Sequence, residues 1–285
     1  MEETPKKVTV PWVANAPADR RRVVMVTAYD FQMARTVDAA GVDVVLVGDS
    51  LANVVLGHDD TLAVTLEEML HHVRAVRRGL ARALLVADMP YGSFHLGEAA
   101  TVENAVRFVK EAGAEGVKIE GPRPRTVEAL VAAEVPVMAH LGLTPQSIHR
   151  LGGYKVQGRG VEAREALLAA ARELEAAGAF SLVLECVPAA LAAEVTAALS
   201  IPTIGIGAGA GTTGQVLVYH DLLGLEERIA PRFVRRYAEL GRAAREAVEA
   251  FAADVRAGRF PSEAESYGDP SVPPADDQLT KLYGA

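Results

Sequence analysis

Four short apolar runs in this chain each end on, or one residue before, an acid. Val42–Val47 leads into Gly48-Asp49-Ser50, Ala83–Ala87 into Asp88, Gly116–Ile119 into Glu120, and Ser181–Leu184 into Glu185. Asp49 and Asp88 have no basic neighbour in sequence to pair with. Two such carboxylates suit a hard divalent cation such as Mg²⁺, which commonly takes only one or two protein carboxylates and keeps positions for water or substrate. Either aspartate could instead cap a following helix; metal binding is the preferred reading.

Lys118 and Glu120 are two apart, so in a strand their side chains share a face. They suit a buried ion pair equally well as a site where Lys118 neutralises a substrate carboxylate and Glu120 assists the metal, directly or through water. Glu185 follows Leu182-Val183-Leu184, an apolar approach that would desolvate the carboxylate and raise its pKa, as a general base needs; a buried structural glutamate is the alternative, uncommon without a partner. Cys186 has no adjacent basic group and reads as structural. His140 ends an apolar run and is a candidate substrate contact. The run from Gly205 to Gly214 contains a G-x-G-x-x-G match that leads into a strand instead of a helix, so it fails as a dinucleotide fingerprint. It is expected to be a backbone-lined loop approaching a ligand or metal.

Something must bring these acids together. Val23–Thr27, Val42–Val47, Ala83–Asp88, Gly116–Glu120, Val135–Leu141, Ser181–Glu185, Pro202–Ile206 and Val216–Tyr219 read as strands. Helical stretches alternate with them near 31–40, 66–78, 101–112, 126–133, 163–177 and 188–199, and 231–257 contains the closing helical region. This rhythm means right-handed crossovers and a parallel sheet. Eight strands in one alternation predict a single-domain α/β fold, a (β/α)8 TIM barrel, whose strand carboxyl ends open on one face. Residues 1–262 are assigned to the barrel and its lead-in, and 263–285, rich in Pro, Asp, Ser and Gly, to an extended tail.

The 285 residues fit one barrel of roughly 250 residues without a second core. Half of them are hydrophobic, yet Gly, Asp, Ser or Pro breaks every apolar stretch short of the roughly 18 residues a membrane span requires. No membrane association is expected. Nor is nucleic-acid binding, because the net charge is −8 and Arg20–Arg22, Arg77-Arg78 and Arg235-Arg236 are scattered among acids. The N-terminus lacks a signal-peptide pattern, and a lone cysteine suits a reducing cytoplasm.

At several ordered segments the chain resembles the ketopantoate hydroxymethyltransferase family. They are Thr27-Ala-Tyr-Asp30, Val47-Gly-Asp-Ser50, Gly57-His-Asp59, 117–121, 140–146, 152–160, 184–188 and 204–209, together spanning roughly residues 20 to 262. The resemblance implies a (β/α)8 barrel, Mg²⁺ as cofactor, and transfer of a one-carbon unit from 5,10-methylenetetrahydrofolate to 3-methyl-2-oxobutanoate, giving 2-dehydropantoate. By that match Asp49 and Asp88 hold the metal with Glu120 completing its shell, Ser50 and Lys118 contact the ketoacid, and Glu185 is the base. It also implies a large homo-oligomer, commonly a decamer. Ala52, Gly92 and Thr213 depart from the family pattern, and none of them removes a proposed chemical group. Two rivals are a Mg²⁺-dependent lyase or mutase of small 2-oxo acids on a related barrel, and a non-catalytic metabolite-binding scaffold.

Overall fold

A computed structural model describes residues 6–228 and 231–267. Eight parallel strands close into a barrel in chain order: β1 (Val23–Thr27), β2 (Val44–Val47), β3 (Leu84–Asp88), β4 (Gly116–Glu120), β5 (Val137–Gly142), β6 (Ser181–Glu185), β7 (Thr203–Ile206) and β8 (Gly214–Leu217). The expected (β/α)8 barrel is present.

The two-residue period of each strand sorts side chains between two cores. Val45, Val47, Leu85, Ala87, Val117, Ile119, Leu182 and Leu184 pack outward beneath the helices. Met25, Val44, Leu46, Val86, Met138, Val183, Ile204 and Val216 fill the barrel interior. With Val117 and Ile119 facing out, Lys118 and Glu120 face in.

The helices are α1 (Val10–Ala14), α2 (Phe31–Ala39), α3 (Leu51–Val54), α4 (Leu66–Gly79), α5 (Glu98–Ala112), α6 (Pro124–Ala132), α7 (Ile148–Leu151), α8 (Val161–Ala176), α9 (Ala189–Ala198), α10 (Tyr219–Leu222) and α11 (Leu240–Arg256). Local chemistry starts several of them. Asp30 accepts from the Met33 N–H at 2.7 Å to open α2, and Thr65 with Glu68 forms a reciprocal capping box on α4. Helix α1 was not legible beforehand, since five residues carry too little periodicity. Its Val13, with Val8 and Ala16, joins the interior core from below and seals the amino-terminal end of the barrel.

Two expectations are corrected. Strand β8 ends at Leu217, and Tyr219 already opens α10. The late helical region does not close the barrel wall: α11 buries none of its residues, although Val248, Phe251 and Val255 recur at helical spacing. Within β1, Val24 is left 49 % exposed. Of the assigned tail, Glu263–Glu265 form one 3-10 turn, and 268–285 lie outside the described residues. Among the described residues no helix is long and apolar enough to cross a membrane.

Candidate active site

Strand register assembles the site at the carboxyl face. Asp88 pairs with Lys118 across β3 and β4, Glu120 with His140 across β4 and β5, and Gly142 with Glu185 across β5 and β6. Asp49 enters from the turn after β2. Asp49, Asp88, Lys118, Glu120 and His140 are all buried within this cluster.

The alternative capping role of Asp49 is not taken, because no side chain caps α3. Its Oδ2 accepts from Gln146 Nε2 at 2.9 Å, and its backbone N–H donates to Asp88 Oδ2 at 3.3 Å. Burial, with the charges of Asp88 and Glu120 beside it, pushes the Asp49 carboxyl well above the usual carboxylate range. Burial also raises Asp88, although Lys118 pulls the other way.

The basic partner that Asp88 lacks in sequence is Lys118, whose Nζ lies 2.7 Å from Asp88 Oδ1, 3.9 Å from Glu120 Oε1 and 3.4 Å from His140 Nδ1. Burial works against this ammonium, but Asp88, Glu120 and Asp49 outweigh it and hold its pKa above the ordinary value. Lys118 is thus ion-paired, closely with Asp88 and only distantly with Glu120, the partner its spacing suggested.

His140 lies between two acids. Its Nδ1 is 3.4 Å from Glu120 Oε1 and its Nε2 is 3.3 Å from Glu185 Oε2. Burial and Lys118 oppose its positive charge, but the two glutamates prevail and push the imidazole up to about 9. Glu120 in turn would be raised by burial; hydrogen bonding and charge from His140, with Lys118 and the Gln146 N–H, leave it lowered instead.

The Glu185 surroundings differ from expectation. Leu182 and Leu184 point outward into the helix-facing core, so they do not enclose the carboxylate. The Glu185 side chain is 17 % exposed, set between His140 and the open cavity. Directly after it Cys186 adopts a left-handed backbone, φ +47°, a sparsely populated state for a residue with a side chain. Desolvation by burial raises the Cys186 thiol to about 11, which fits the structural reading of this residue.

Ser50 is fixed by the Tyr29 hydroxyl at 2.8 Å. Tyr29 and Gln146 are the two site residues that residue-by-residue reading missed. A tyrosine two residues past a strand and a glutamine in a long loop have no spacing signal of their own. The glycine run is also corrected. Gly209 and Gly211 stand close against Ala189 and Ala193 of α9, and Gly214 against Val23 and Ile204 of the adjoining strands, so these glycines serve close helix and strand packing. Gly207 stands beside Cys186 and Phe233, which line the cavity. Thr213 exchanges hydrogen bonds of 3.3 Å with Thr203 at the opposite end of the barrel, away from the acids.

A cavity of about 780 Å³ stands over the cluster, reaching from Asp49 and Glu185 out to Tyr154, Asp221 and Phe233. Among the described residues, no three acidic, histidine or cysteine side chains form a ready-made metal cage. A Mg²⁺ ion needs none, since one or two carboxylates with waters suffice. The fit is supported by a buried acceptor beside the carboxylates that has no hydrogen-bond partner, Gln146 Oε1. Buried polar groups are rarely left so. Three buried carboxylates also outnumber Lys118 and His140, leaving negative charge that a cation would balance.

A closed barrel with acids, a lysine and a partly open glutamate converging at its carboxyl face defines an enzyme of the (β/α)8 class. The ketopantoate hydroxymethyltransferase family model matches residues 7–263, and the chain belongs to that family. A 3-methyl-2-oxobutanoate hydroxymethyltransferase of Pelobacter propionicus is 51 % identical over 94 % of this chain and 100 % of its own length. One from Nitratidesulfovibrio vulgaris is 55 % identical over 87 % of this chain and 82 % of its own. Among solved structures, a phosphonopyruvate hydrolase in complex with oxalate and Mg²⁺ superposes with a TM-score of 0.59 at 17 % identity, covering 97 % of this chain and 95 % of that one. A 2,3-dimethylmalate lyase superposes at 0.58 and 18 % identity, covering 96 % and 94 %. At such identities these two speak for the shared fold alone.

Proposed function

We propose that the chain transfers a hydroxymethyl group from 5,10-methylenetetrahydrofolate to 3-methyl-2-oxobutanoate, forming 2-dehydropantoate in pantothenate biosynthesis. The observation that carries this reading is the placement of Glu185 at the edge of the buried acid cluster, facing the cavity, in a chain of this family. One C–H bond at C3 of the ketoacid breaks, and its proton passes to Glu185. The C3 carbon then bonds to the methylene carbon as one of its bonds to a folate nitrogen breaks; water replaces the second nitrogen and supplies the hydroxyl, and its other proton and the one held by Glu185 go to the two nitrogens as tetrahydrofolate leaves.

Asp49 and Asp88 would hold Mg²⁺, with Glu120 completing the set. When bound, the ion supplies positive charge that draws electrons from the ketoacid oxygens and favours loss of the C3 proton. Lys118 balances negative charge at the floor of the site, and Ser50, held by Tyr29, offers a hydroxyl to the ketoacid. His140 has both ring nitrogens against carboxylates. Its part is therefore to hold Glu120 and Glu185, in place of a direct substrate contact.

The cavity, at about 780 Å³, far exceeds the needs of a small ketoacid and lies in the range that accepts drug-sized ligands. That surplus supports a bulky second substrate such as the folate. The exposed apolar residues of α11 and the uncovered Val24 support a homo-oligomer, and the lone Cys186 suits a cytoplasmic protein.

The test is an assay of 2-dehydropantoate from 3-methyl-2-oxobutanoate with and without methylenetetrahydrofolate and Mg²⁺. Product that requires both, and is nearly lost in Asp49→Asn, is the expected result. Absence of product under every condition would overturn the reading, and folate-independent cleavage of a small 2-oxo acid would move the chain to the lyase class.

A further inference from the structure

After β5 the chain makes a 3-10 turn, Pro145–Ser147, that returns it across the mouth of the barrel. Gln146, 5 % exposed, is at its centre. Its side-chain Nε2 donates to Asp49 Oδ2 at 2.9 Å and to the Met89 carbonyl at 3.0 Å, while its backbone N–H donates to Glu120 Oε2 at 3.0 Å. Because both side-chain partners are acceptors, the amide can be oriented only one way. That leaves Oε1 buried and without a hydrogen-bond partner.

We infer that Gln146 is a positioning residue for the acidic cluster, holding Asp49 by its side chain and Glu120 by its backbone, with Oε1 kept as acceptor for a water of the bound cation. The inference rests on reading the cluster as a Mg²⁺ site. Its physical basis is the charge of the groups involved. Asp49, Asp88 and Glu120 lie together in a buried space where like charges repel, so something must fix them in position before a cation arrives. A lysine there would neutralise Asp49 and compete with the ion, as Lys118 already neutralises Asp88. A neutral amide donates a hydrogen bond without adding a positive charge that would compete with the ion. Mg²⁺ demands near-ideal octahedral geometry and keeps several waters, so a shift in one carboxylate and a lost water acceptor both weaken it. Ca²⁺ accepts looser geometry and suffers less.

The experiment titrates the full-length chain with Mg²⁺ and, separately, Ca²⁺ by calorimetry, for wild type, Gln146→Met and Gln146→Asn. Methionine keeps length and volume without the amide, and all variants retain the backbone N–H to Glu120. The expected result is Mg²⁺ affinity weakened about 10- to 100-fold in Gln146→Met, with a smaller loss for Ca²⁺. If Gln146→Met fails to fold, Gln146→Asn, whose shorter amide cannot reach both Asp49 and Met89, carries the same expectation. Wild-type Mg²⁺ binding with variant affinities within about twofold of it, or equal losses for both ions, would overturn the positioning role alone. A wild type that binds no Mg²⁺ would overturn the metal reading, and the positioning role with it.

Discussion

Gly142, the last residue of β5, pairs with Glu185 across the β5–β6 ladder, and the Glu185 carbonyl occupies the space where a side chain at Gly142 would begin. The next residue, Leu143, donates its N–H to that same carbonyl at 2.8 Å. With φ at +96°, position 142 also lies where residues other than glycine are strained. Gly142→Ala is expected to cost about 1–3 kcal/mol of stability and to displace Glu185. Thermal unfolding and turnover check this, and a variant with wild-type Tm and kcat would contradict it.

Glu185 is expected to carry proton removal on its own account, which can be watched without the folate. Wild type with Mg²⁺ should exchange the C3 hydrogen of 3-methyl-2-oxobutanoate with deuterated water. Glu185→Gln keeps the size but loses the acceptor, so exchange and hydroxymethyl transfer should both fall by about two to four orders of magnitude while ketoacid binding survives. Exchange at the wild-type rate, followed by NMR, would place the base elsewhere.

His140 predicts a pH dependence of stability. Its folded pKa, about 9, lies above the ordinary imidazole value of about 6.5, so the protonated ring stabilises the fold. That contribution is complete below about pH 6.5 and is lost as pH rises through about 9. Denaturant unfolding of the chelator-treated protein should therefore show wild type losing more stability between these two limits than His140→Gln does. Parallel pH profiles for the two proteins would remove the role of the charge.

Assembly should depend on α11. Val248 and Phe251 are 65 % and 53 % exposed on a helix none of whose residues is fully buried. Light scattering is expected to give a mass many times that of one chain for wild type, and a smaller one for Val248→Glu combined with Phe251→Glu. A monomeric, fully active wild type would refute the oligomer.

Much of the fold was legible because buried parallel strands and amphipathic helices differ in period, and each of the eight runs declared itself within a few residues. The pairing of Lys118 with Glu120 on one face followed from the same two-residue alternation, as did the gathering of Asp49, Asp88, Glu120 and Glu185 at strand ends. Period says nothing about which neighbour a side chain meets. Register across β3 to β6 made Asp88 the partner of Lys118, and set His140 between Glu120 and Glu185. The same alternation, read in three dimensions, turned Leu182 and Leu184 away from Glu185 and left it open to the cavity. Gln146 is the sharpest case. Its hydrogen bonds to Asp49 and Glu120 join residues distant in sequence, and a loop glutamine acquires that role only when closure of the barrel brings three strand ends within reach of one residue. Local pattern determined which groups could do chemistry, and long-range packing decided which of them share charge.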